Sequence, residues 1–202
     1  RGTRNQFQTP KRNQLANRCA PYYKTHSMEW IYENDLNDRL RYILGIKGNN
    51  PIVCFGINPS TAKPNETDRT IQSVERISQK NGFDSWIMLN VYPLRATNPD
   101  ELDNVINTEY HKNNLTKIES IFQKGNINIW SAWGTLIEKR DYLKSCLKDI
   151  YSLSLDYNCN WITTGKESKK GHPHHPLYLK KDEIFRTFNI DNYISSLYSH
   201  EK

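Results

Sequence analysis

Residues 171–182 read GHPHHPLYLKKD, which packs three histidines and two prolines into a lysine-rich stretch. Imidazole titrates near neutrality, so such a segment suits metal ligation, proton transfer or a hydrogen bond to a developing anion. The His172-x-His174 spacing could chelate, but no Cys, Asp or Glu cluster lies beside it, so a metal is the weakest reading and none is expected. A solvated turn stiffened by Pro173 and Pro176 is the plain alternative. Leu177-Tyr178-Leu179, an apolar wedge directly after the histidines, is not what such a turn requires and favours function.

Three other polar segments follow apolar runs: GINPST, NVYPLRAT and WGT. Asn58 could orient a water and bond a substrate without carrying charge; an Asn-Pro turn, with Ser60 and Thr61 satisfying the backbone, is the simpler account of it alone. Asn90 ends WIMLN, where an amide offers a donor and an acceptor together, as the edge of a nucleobase demands. A structural asparagine fits equally well. Arg95 either fixes its loop through carbonyls or binds phosphate, with loop fixing favoured. Trp133-Gly134 suits core packing with close backbone approach.

These segments need a scaffold, and the pattern of the chain supplies one. Ile52–Gly56, SWIMLNVYPL, INIWSAW and NWITTG are short apolar runs that read as buried strands. Between them, Thr67 or Asp68 caps a helix to about Lys80, with Ile71, Val74 and Ile77 on one face. Asn98-Pro99-Asp100-Glu101 opens another, and residues 109–123 and 135–152 are helical. A last helix is expected over 181–198. Residues 28–46 fit a hairpin about the polar 33–38 segment or a short helix. Alternating strands and helices predict an α/β three-layer sandwich around a central, mainly parallel four-stranded sheet. In such folds the ligand crevice lies beyond the carboxyl ends of the strands, where all four polar segments fall.

The 202 residues suit a single α/β domain over 21–202, preceded by an arm over 1–20 that carries five basic residues and no acid. Aromatics make up 11%, which argues for a packed chain, and the formal charge of +6 suits a phosphate-bearing partner. Lys169, Lys170 and Lys180 flank the histidines. No apolar run approaches the ~18 residues of a membrane span, no signal-like segment opens the sequence, and the four cysteines form no C-x-x-C pair. A cytoplasmic protein with reduced thiols, no membrane partner and no cofactor is expected.

Together NPSTA (58–62), DRTI (68–71), LNVYPLRATNPDEL (89–102), AWG (132–134) and GHPHHPLYL (171–179) closely resemble a family known as domain of unknown function 1643. A looser resemblance is to the uracil-DNA glycosylase superfamily. FGINPS is similar to the GINPG-type motif of its mismatch-specific members, IMLN to an LLLN segment, and HHPLYL to an HPSP or HPSYL motif. The resemblance implies a uracil-DNA-glycosylase-like fold in which Asn58 positions water, Asn90 reads the base and His175 stabilises the leaving base. It places Leu177 and Tyr178 at a wedge into DNA, with Ser60, Arg95, Lys169, Lys170 and Lys180 as phosphate or nucleic-acid contacts. Phe55 and Tyr92 are the aromatics that would contact the base. The sequence departs from that pattern in having no acid directly after the first motif, no four-cysteine cluster and no aromatic in TAKPNETDRTI.

The expectation is a protein that binds a nucleobase in DNA, with hydrolysis of the N-glycosidic bond of a deaminated or modified base as its chemistry. The alternatives are a non-catalytic nucleic-acid or nucleotide-binding module and an enzyme acting on a free nucleoside or nucleotide.

Overall fold

A computed structural model describes residues 28–199, so the basic arm expected over 1–20 lies outside the described residues. The four predicted strands form the middle of the sheet: β3 (Pro51–Gly56), β4 (Ser85–Asn90), β5 (Ile127–Ser131) and β6 (Cys159–Thr163). All three pairings among them are parallel. The sheet is larger than the four strands expected. It has seven, in the order β1-β2-β4-β3-β5-β6-β7, with β1 (Trp30–Asn34), β2 (Arg41–Ile46) and β7 (Arg186–Thr187) pairing antiparallel at its edges. The hairpin option for residues 28–46 is the one the chain adopts.

Side-chain alternation along β3 divides the core in two. Ile52 and Cys54 pack with Ile71, Val74 and Ile77 of α1 (Arg69–Lys80) on one face. Val53 and Phe55 point to the other face, with α2 (Thr108–Phe122), α3 (Asp141–Ser154) and α4 (Ile190–Ser199). Helices thus cover both faces. The chain leaves β3 through α1 to reach β4 on one side, then returns past β3 through α2 to β5 on the other. The crevice of such a fold opens where that order reverses, between the loops after β3 and β5.

Three predicted helices differ from expectation, and the one over 135–152 is split into a 3-10 turn, Gly134–Glu138, and α3. Asn98 caps only a 3-10 turn, Pro99–Glu101, because the Arg140 guanidinium takes the carbonyls of Asp100, Leu102 and Asp103. The closing helix starts at Ile190, not 181. Asn81, at the end of α1, accepts from Phe185 N and donates to Glu183 O, and Arg186 pairs with Thr163 in the sheet. Among the described residues no helix is long and apolar enough to cross a membrane.

The β1–β2 turn is tied to the site loops by Asp38, which adopts φ 53°. Its Oδ1 accepts from Tyr32, Asn34 and the Arg95 guanidinium, and Lys63 lies 3.1 Å from Oδ2. Burial works against the charged form, but those hydrogen bonds and the Arg95 charge outweigh it and hold the carboxyl well below the usual carboxylate range. Its native value lies below its unfolded one, so its stabilisation is present above about pH 4 and is lost as the pH falls below it. Asparagine tolerates the same backbone, so Asp38→Asn isolates the charge. It is expected to lower the urea midpoint at pH 7, and the gap to wild type should close as denaturation is repeated from about pH 5 towards pH 2.

Candidate functional site

A cleft of about 600 Å³ opens at that reversal. The loop after β3 contributes Asn58 and Ser60, and the start of α1 contributes Asp68, Arg69 and Thr70. Ala96, Thr97 and Pro99 come from the loop after β4, Trp133 to Leu136 from the loop after β5, and His175, Leu177 and Tyr178 from the loop after β6. Segments far apart in sequence meet here because each follows the carboxyl end of a parallel strand.

The Asn58 amide nitrogen donates to Ala96 O at 2.7 Å and Pro59 O at 3.1 Å, which ties two loops together. Its oxygen is the group left to accept from a ligand or water in the cleft. Ser60 lies beside Thr97, their hydroxyls 3.5 Å apart. Arg95 donates to the carbonyls of Ser60 and Ala62 as well as pairing with Asp38, so it fixes the loop, as its residue type and position favoured.

The three histidines have separate surroundings. His172 is 2% exposed. Trp133 donates its indole N–H to the Tyr193 hydroxyl, which also shares a hydrogen bond of 2.9 Å with His172 Nδ1. His174 donates from Nδ1 to Lys166 O. His175 is the one that lines the cleft. Its Nδ1 accepts from Leu177 N at 3.3 Å, which places the proton of the neutral ring on Nε2. Burial lowers its pKa, the Asp68 charge opposes that, and His174 adds to the lowering. A neutral imidazole with a free N–H is a donor suited to a developing anion. Leu177 and Tyr178 are 40% and 73% exposed at the rim, while Leu179 turns inward against Gly165.

The candidates for base contact do not line this cleft. Phe55 packs between Phe122 and Trp161 in the core. Tyr92 is fully buried, with its ring against Tyr142 and its hydroxyl accepting from Asn107 N. Asn90 is 0% exposed beside Gly56, and neither polar atom of its amide has a protein partner. Of the lysines, Lys169 and Lys180 are exposed outside the cleft lining, and Lys170 is held by Glu138. Among the described residues no group of three or more His, Cys, Asp or Glu is arranged to hold a metal.

Residues 41–177 match the family described as Protein of unknown function (DUF1643). The chain belongs to this family. The DUF1643 span contains every residue lining the cleft except Tyr178, which is next in the chain. The chain matches no curated protein and no solved structure. The sequence gives Asp68, Arg69 and Thr70 a helix start and part of the DRTI segment, but no place among the candidate site residues. The signal that could have found them is positional: in a parallel α/β fold the start of a helix after a strand shares the ligand-binding edge.

The Tyr193 hydroxyl serves two buried partners at once, so Tyr193→Phe leaves the Trp133 N–H and His172 Nδ1 unpaired. A loss of about 1–3 kcal/mol is expected in chemical denaturation.

Proposed function

We propose that the cleft receives a nucleobase carried by DNA and that its chemistry is hydrolysis of the N-glycosidic bond. The observation that carries this reading is the meeting of Asn58 and His175 in one cleft of ligand size, with Leu177 and Tyr178 exposed at its rim. Cleaving that bond builds negative charge on the departing base and positive charge on the sugar. The Nε2–H of a neutral His175 stabilises the first, and the Asn58 oxygen orients the attacking water. Leu177 and Tyr178 fill the gap that an extruded base leaves in the stack. Since Asn90, Tyr92 and Phe55 lie outside the lining, the proposal assigns the base edge to the hydroxyl-bearing residues of the lining, Ser60, Thr70, Thr97 and Thr135.

One observation favours a second reading, in which the substrate is a free nucleoside or nucleotide. Lys169, Lys170 and Lys180 do not line the cleft, whose own charged pair is Asp68 and Arg69. A backbone grip by the outer lysines is then unnecessary.

The test is a panel of single- and double-stranded oligonucleotides bearing uracil, hydroxymethylated or glucosylated bases, with the matching free nucleosides, scored for released base. Release from an oligonucleotide, reduced about 100-fold or more by His175→Gln and by Asn58→Ala, is the expected outcome. Release from nucleosides alone selects the second reading. Binding without release from any substrate leaves a non-catalytic binding module.

A further inference from the structure

Two walls of the cleft are joined behind it by one buried side chain, His172. One wall is the 3-10 turn Gly134–Glu138, which lines the cleft through Gly134, Thr135 and Leu136. The other is the loop that presents His175, Leu177 and Tyr178. His172 belongs to that loop and reaches both ends of the turn. Its Nδ1 lies 2.9 Å from the Tyr193 hydroxyl of α4, which accepts from the indole of Trp133 just before the turn. Its Nε2 lies 3.4 Å from Oε1 of Glu138, the last residue of the turn, close enough for charge attraction but not aligned as a hydrogen bond. Its backbone is fixed by reciprocal bonds with Ser168, and Pro173 stiffens the link towards His175.

We infer that His172 is a positioning residue that acts as a proton-sensitive clasp: its neutral ring holds the turn and the histidine loop together, and its protonation loosens the cleft. The number of protons on the chain sets this polarity. The Glu138 carboxylate favours the tautomer with its proton on Nε2, so Nδ1 accepts the single hydroxyl proton of Tyr193. Burial raises the Tyr193 pKa, so that proton stays on the oxygen. A protonated ring carries N–H on both nitrogens. The Tyr193 oxygen then meets two donors, Trp133 and His172, and its own proton loses a buried acceptor. Burial lowers the His172 pKa, the Glu138 charge opposes this, and Lys170 of the same loop and Lys144 of α3 add to the lowering. Glu138 gives only divided support, because Lys170 binds both its oxygens, at 2.9 and 3.0 Å. The native value therefore lies below the unfolded one of about 6.5. The unfolded chain binds more protons in that window, so the stabilisation is present above about pH 6.5 and is lost as the pH falls from there through the native value. The clasp acts on the cleft whatever the cleft binds.

The His172 imidazole and the Trp133 indole N–H are followed by NMR as the pH is lowered from about 8 to about 5. In the wild type both signals are expected to move with one midpoint below about 6.5. Hydrogen-exchange protection of the Tyr178 and Leu179 amides, which bond His175 O and Pro176 O, is read over the same range and corrected for the intrinsic effect of pH. It should fall by about two- to tenfold, the worth of one hydrogen bond. His172→Asn places an amide oxygen where Nδ1 accepts from Tyr193 and cannot titrate. In that variant the indole signal should stay constant and the loss of protection should disappear. Glu138→Gln, at a partly exposed carboxylate, is the second variant should the first not fold, and it should move the His172 midpoint lower. An indole signal that ignores pH in the wild type overturns the inference. So does a loss of protection that persists in His172→Asn, or an unchanged or raised midpoint in Glu138→Gln. The titration needs no substrate, so an oligonucleotide panel that releases nothing removes the hydrolase reading while this comparison still decides the clasp.

Discussion

The wall of the cleft that carries Asn58 has no regular secondary structure between β3 and α1, so its carbonyl oxygens need donors from elsewhere. Two guanidiniums supply them. Arg95 donates to Ser60 O and Ala62 O, and Arg41 donates to Ala62 O as well. Two cations at one carbonyl repel, and burial with that repulsion brings Arg41 down to about 10. The arrangement is tolerable because Asp38 and Asp68 provide the compensating charge and Tyr32 bonds to Arg95. A buried cation stripped of its partner is strongly destabilising, so loop, arginines and acids form a unit that stands or falls together. The Asn58 amide closes it by bonding Ala96 O.

The opposite wall is built by close approach. Gly134 adopts φ +65°, and a Cβ there would lie 3.2 Å from the Cβ of His175. Any side chain would push the imidazole aside as well as strain the backbone. Behind it, Trp133, Tyr193 and His172 share one hydrogen-bonded chain, which anchors the histidine loop to α4. One histidine is consumed as structure so that another, three residues on, can be presented to the cleft.

The parts legible in the sequence are those that a single physical rule determines. Strands β3, β4 and β5 are buried on both faces along most of their length, which gives nearly continuous apolar runs, and β6 keeps Trp161 and Thr163 buried. Helix α1 carries its own cap in Asp68. Edge strands β1 and β7 are partly or wholly exposed, so nothing in their composition forces a reading. Residues 181–189 are held out of the last helix by Asn81, a hundred positions away, which no local pattern reveals. The same holds for the site. Asn58, Ser60, His175, Leu177 and Tyr178 reach the cleft because loops after parallel strands converge there. Phe55 and Asn90 lie within strands and are buried, and Tyr92 is fully buried just beyond β4. Asp68 was hidden by its plain local explanation as a cap.

The charge distribution separates two kinds of partner. Within the lining, Asp68 and Arg69 oppose each other, so the cleft attracts no anion strongly by itself. The exposed lysines beside the histidine loop lie outside, and Lys170 is partly neutralised by Glu138. Screening confines such surface charges to about 10 Å in ordinary salt. A nucleoside held in the cleft would gain little from them, whereas a polyanion running past Leu177 and Tyr178 would have its phosphates drawn to them.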